Sequence, residues 1–116
     1  MVVRRDLTDA EFDRLFRALA DATRRDIVAR LLGGEQTSIS TLAARYDMSF
    51  AAVQKHVAVL EEAGLVTKRQ QGRERIVYGN ADRIARAREL LTELEELWRA
   101  RFTRLDHLLG ETINPE

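Results

Sequence analysis

Apolar residues recur at helical spacing along most of this chain. Phe12, Leu15, Phe16 and Leu19 follow Thr8, and Glu11 stands three positions after that threonine, the arrangement of a capping box. Ile27, Val28, Leu31 and Leu32 line a second helix, "ATRRDIVARLL", which Asp21 caps and Gly33-Gly34 stops. Ser38 is the candidate cap of a short third helix, "ISTLAARY", and the turn "YDMS" follows. Ser49 then opens a fourth helix that ends at Gly64, a position suited to a left-handed cap. Past Gly64 the period changes. "LVTKRQ" and "RIVYGN" are β-branched and partly alternating, with "QGRE" as the tip, which predicts a hairpin. From Ala81 the helical period returns and holds to about Leu109. The pattern predicts a mainly α chain of about five helices with a small β-hairpin wing and a long C-terminal helix.

The third and fourth helices, joined by a tight turn, read as a helix-turn-helix. The fourth has two unlike sides. Val53, Val57 and Leu60 make an apolar stripe, whereas Ala51, Gln54, Lys55 and Ala58 make a small, flat outer face. A surface helix of the ordinary kind carries Glu, Lys and Arg there. In a helix-turn-helix the second helix enters the DNA major groove, about 12 Å wide, with its N-terminal residues at base edges. Alanines let the backbone approach, Gln54 pairs with adenine edges, and Lys55 reaches guanine or phosphate. Ser49 caps the helix and reaches phosphate, and Phe50 belongs to the same face. Lys68, Arg69, Arg73 and Arg75 make the hairpin a basic wing for phosphates or the minor groove.

Composition narrows the classes. The chain has 116 residues, 45% hydrophobic and 33% charged, which suits one folded domain and not a disordered chain. Basic and acidic residues number 19 each, so bulk charge makes no case for nucleic acid. Distribution does: residues 49–79 hold five basic against three acidic side chains, a balance of +2, while residues 80–116 hold six against eight, a balance of −2. No apolar run is long enough to span a membrane, no signal peptide is seen, and no cysteine occurs, which fits a cytoplasmic protein.

These motifs, in this order, resemble the ArsR-type winged helix-turn-helix regulators. The resemblance covers about residues 12 to 80 and rests on "LFRALADATRRDIVARLL", "LAARYDMSFAAVQKHVAVLEEAGLV" and "GRERIVY". The last helix matches in character more than in motif. Family members often have proline where Ala22 stands, a loss of helix-start preference away from the DNA face. The resemblance implies a cytoplasmic, homodimeric, sequence-specific repressor, and the lack of cysteine with only two histidines points to the non-metal-sensing type. It implies double-stranded operator DNA as partner, in an inverted repeat, with room for an unknown small-molecule inducer. The single domain is expected over 1–116, with a DNA-binding core at 8–80 and a dimerisation helix at 81–109. A winged-helix protein-interaction module is the alternative, and zero net charge is the feature that favours it.

Metal and catalytic chemistry find little support. Many family members sense metal through cysteines or through Asp, His and Glu on the last helix. This chain has no cysteine and two histidines, His56 and His107, and zinc needs three or four ligands. His56 reads as a structural histidine at the corner of the fourth helix and hairpin, with a phosphate contact as the alternative. Neither a phosphate loop nor a nucleophile motif occurs, so no cofactor, metal or catalytic residue is assigned. Ile84, Leu91, Trp98 and Leu105 repeat every seven residues, with Leu94, Phe102 and Leu109 between them. So long a stripe in so short a chain reads as a partner face. The resemblance implies that the first and last helices form it, so Phe12, Leu15, Phe16, Leu19, Leu91, Leu94, Trp98, Phe102 and Leu105 are the expected dimer interface. Trp98 alternatively lines an inducer pocket.

Overall fold

The computed structural model describes residues 7–110, so the outer limits of the expected domain, 1 and 116, lie outside the described residues. Five helices and three strands follow in the order α1 (Asp9–Ala18), α2 (Ala22–Leu32), β1 (Thr37–Ser38), α3 (Ile39–Ala43), α4 (Phe50–Glu62), β2 (Val66–Gln71), β3 (Glu74–Gly79) and α5 (Ala81–Leu109). This is a winged helix-turn-helix. By internal contacts the chain forms two units, Met1–Arg86 and Ala87–Glu116.

At the predicted starts of α1 to α4 a side-chain oxygen takes a backbone N–H that the helix leaves unpaired. The α1 box is complete: Thr8 Oγ1 accepts from the Glu11 N–H at 3.1 Å, and Glu11 Oε1 accepts from the Thr8 N–H at 2.9 Å. Asp21, Ser38 and Ser49 each accept from the N–H three residues on, at 3.1 Å. Leu15, Ile27, Leu42, Val53, Val57, Leu60, Leu65, Val66 and Val77 are fully buried and make one core among α1–α4 and the sheet. The α4 stripe is therefore the stripe that the spacing predicts.

Three details depart from the sequence reading. Helix α3 ends at Ala43, short of the full "ISTLAARY". The hairpin tip is two residues, Gly72-Arg73, because the register runs unbroken from Val66↔Gly79 to Gln71↔Glu74. Gly72 has φ +62 and Arg73 is not at positive φ, the combination found in a type II′ turn. Strand β1 was not expected. It pairs antiparallel with β3, Thr37 opposite Val77 and Ser38 opposite Ile76, which makes the sheet order β1-β3-β2. Its role is to tie the entrance of α3 to the inner strand of the wing.

Candidate nucleic-acid interface

The core fixes which side of α4 is free. With Val53, Val57 and Leu60 fully buried, Ser49, Phe50, Ala51, Gln54, Lys55 and Ala58 are exposed. Arg69, Arg73 and Arg75 of the wing are exposed as well. A cleft of about 190 Å³ is lined by Ser38, Ile39 and Ser40 from the start of α3, Phe50 and Gln54 from the start of α4, and Arg73, Glu74 and Arg75 from the wing. The amide proposed for base reading and two wing guanidiniums thus border one depression. Sequence reasoning missed the α3 rim, because only β1 pairing brings Ser38 beside the wing.

The wing has its own internal order. The Arg69 guanidinium lies over the Tyr78 ring, 5.6 Å from its centroid, and Gln71 Nε2 donates to the Tyr78 hydroxyl at 2.6 Å. A cation held against a ring keeps its charge while losing rotamer freedom. Tyr78 was not singled out from the sequence; its neighbours become visible only through the strand register. Lys68 differs from the other expected contacts. Its Nζ lies 3.0 Å from Glu61 Oε1 and its side chain is 18% exposed, so it closes the α4–β2 corner as one half of an ion pair. Arg73 is exposed and stands at the tip of the hairpin. On the DNA-binding reading, Arg73→Ala is expected to weaken binding to all duplexes by a similar factor. It should also make the log–log salt slope shallower by about 0.9 for each chain bound. Titrations at three salt concentrations check both.

His56 is not at the helix–hairpin corner. It is half-buried, with Nδ1 at 3.3 Å from Arg24 Nη1 and 3.8 Å from Asp21 Oδ2, both at the start of α2. The Arg24 backbone N–H holds the Asp21 carboxyl below its ordinary range, with smaller help from the Arg24 side chain. Among the described residues no group of three or more His, Cys, Asp or Glu is placed to hold a metal, and no helix is long and apolar enough to cross a membrane.

The residues expected at a dimer interface separate into two sets. Phe12 and Leu15 are core residues of the single chain, 5% and 0% exposed, because the inner side of α1 packs into the domain; they are withdrawn from that interface. Phe16 and Leu19 are half-buried. On α5, Leu91, Leu94, Trp98, Phe102 and Leu105 are all exposed, and Leu97, Leu108 and Leu109 extend the set. The Trp98 and Phe102 rings stack at 6.1 Å.

A helix-turn-helix whose second helix turns a small face outward beside a basic wing defines the winged-helix transcriptional regulators. A helix-turn-helix domain model matches residues 19–69. The chain is 39% identical over 74 residues to the uncharacterized HTH-type transcriptional regulator YuzN of Bacillus subtilis, covering 59% of this chain and 80% of that one. It is 37% identical over 60 residues to the arsenical resistance operon repressor of Escherichia coli, covering 52% and 51%. The crystal structure of an ArsR family transcriptional regulator, RHA00566, superposes with a TM-score of 0.73 at 32% identity, covering 80% of this chain and 95% of that one. The chain belongs to the ArsR family of DNA-binding transcriptional regulators, as its motifs led us to expect. That family consists of regulators and not enzymes.

Proposed function

We propose that the chain acts in the cytoplasm as a homodimeric repressor that binds an inverted-repeat operator. The observation that carries this reading is the shared cleft of Phe50, Gln54, Arg73 and Arg75, which sets a base-reading amide beside two phosphate-seeking cations. Helix α4 lies in the major groove with Gln54 and Lys55 at base edges and Ala51 and Ala58 against the groove wall. Ser49 and the wing hold phosphates. The exposed α5 face, with Phe16 and Leu19, pairs two copies about a two-fold axis, so half-sites lie about 34–36 Å apart. Repression is the sense supported by the E. coli relative named above. With no cysteine in the chain, a thiolate-bound metal is not the signal that releases DNA, which leaves room for an unknown small-molecule inducer.

The test is fluorescence anisotropy on a duplex from the region upstream of the protein's own gene, against a scrambled duplex, at two salt concentrations. Selective binding with two chains per site is the expected result. Equal weak binding to both duplexes counts against an operator there, and no salt dependence at all overturns DNA binding. Gln54→Ala is expected to lose about 1–3 kcal/mol of discrimination at one base pair per half-site, with little change elsewhere. A panel of single-base operator variants reads this directly. An unchanged panel removes Gln54 from base reading.

A further inference from the structure

The α4 stripe of Val53, Val57 and Leu60 keeps the recognition helix on the domain, but apolar packing is non-directional and does not by itself fix how the helix is rolled about its axis. Roll matters here. A side-chain end about 5–6 Å from the axis moves about 1 Å for each 10°. Hydrogen bonds to base edges tolerate little more than that.

One side chain supplies a directional restraint. Arg24 lies in the first turn of α2, and its own N–H is capped by Asp21 Oδ2 at 3.1 Å. Its guanidinium points back across the helices. Nε donates to the Ala18 carbonyl at 2.6 Å, and Nη2 donates to the Arg17 carbonyl at 3.2 Å, both in the last turn of α1. Nη1 reaches His56 Nδ1 on α4 at 3.3 Å. The planar fork of Arg offers donors in several fixed directions, which a lysine ammonium does not reproduce. A single cation therefore joins the end of α1, the start of α2 and the middle of α4. Since a guanidinium only donates, His56 Nδ1 is the acceptor and the ring proton sits on Nε2. Asp21 Oδ2, at 3.8 Å, is too far for a hydrogen bond to that nitrogen. His56 follows Lys55 directly and lies two residues after Gln54, so fixing its ring fixes the roll that aims both.

We propose that Arg24 and His56 are positioning residues for DNA recognition: the Arg24 fork, anchored on the α1 carbonyls, holds His56 and so sets the roll of α4. The inference rests on the DNA-binding reading above. Its test uses the full chain and the duplex that the wild-type protein selects from a randomised pool, with a scrambled duplex as reference. His56→Leu and Arg24→Lys are expected to lower the ratio of selected to scrambled binding about tenfold, the scale of one weakened base contact, while binding to the scrambled duplex is unchanged. His56→Gln, whose Oε1 accepts from Arg24, retains the wild-type ratio within a few-fold. In the free protein, long-range ¹H–¹⁵N spectra should show the Nε2–H tautomer of His56, and Arg24→Lys should shift Nδ1. Wild-type discrimination in His56→Leu, or equal loss in the glutamine and leucine variants, overturns the proposal. So does the Nδ1–H tautomer, which needs no DNA to observe. A wild-type protein that selects no duplex removes the DNA reading, and this inference with it.

Discussion

Gly64→Ala is expected to destabilise the fold by about 2–3 kcal/mol, while Gly72→Ala costs about 1–2 kcal/mol. Both glycines sit in left-handed backbone, at φ +77 and φ +62, so alanine carries the same kind of conformational cost at each. Their surroundings separate them. A Cβ at Gly72 meets nothing within 4 Å, whereas one at Gly64 falls 2.6 Å from Arg83 Nε and 2.7 Å from Arg83 Cζ. The Arg83 guanidinium must therefore leave Gly64, and with it the approach of Arg83 Nη1 to Glu11 Oε2 at 3.6 Å. The Gly64 carbonyl also accepts from Asn80 Nδ2 at 2.9 Å, so backbone adjustment there disturbs a second contact. Gly64 turns the chain from α4 into β2, and any shift moves the wing against the recognition helix. Paired thermal melts should place Gly64→Ala about 10 °C or more below wild type, with Gly72→Ala clearly between them. Equal melting temperatures for the two variants would show that Arg83 contributes nothing at that corner.

What was legible in the sequence and what was not have a common physical basis. Caps are local chemistry: Thr8 with Glu11, and Asp21, Ser38 and Ser49, act on N–H groups three residues away, and the starts of α1 to α4 were readable from them. The buried stripe of α4 was readable because its period repeats within one element. Contacts made across the chain were not. Strand β1 has only two residues and no period, and it exists because β3 offers Val77 and Ile76 as partners. His56 finds Arg24 at a separation of 32 residues, and nothing in either local sequence points to the other. Lys68 carries the same formal charge as Arg73, yet a strand-to-helix contact with Glu61 takes it out of the open set. Helix α1 shows the limit of periodicity most clearly. Its apolar residues form one broad stripe in sequence, but Phe12 and Leu15 face the core of their own domain while Phe16 and Leu19 stay half-exposed. A stripe says that a face is apolar; it does not say what covers it.

The α5 face bears the largest functional consequence of the proposed dimer. Trp98→Glu combined with Phe102→Glu is expected to convert a dimer into a single chain of 13.3 kDa and to weaken operator binding about 10²–10⁴-fold. The stacked pair sits in a row of exposed apolar residues at positions 91, 94, 98, 102, 105 and 109, whose spacings of three and four put them on one side of the helix. In a two-fold interface each substitution enters twice, so four carboxylates would lose water with no cation supplied to meet them. The loss in DNA affinity follows without any change to α4. Two recognition helices linked in one dimer bind the second half-site intramolecularly, and a single chain forfeits that effective concentration. His107→Glu, about 180° round α5 from Trp98 at 100° per residue, serves as the control for added negative charge and should leave both mass and affinity close to wild type. Light scattering and anisotropy on the same samples separate the outcomes. A wild-type chain that runs at its single-chain mass at operator-binding concentrations overturns the dimer. A monomeric double variant that still binds at wild-type affinity keeps the dimer but disconnects it from recognition.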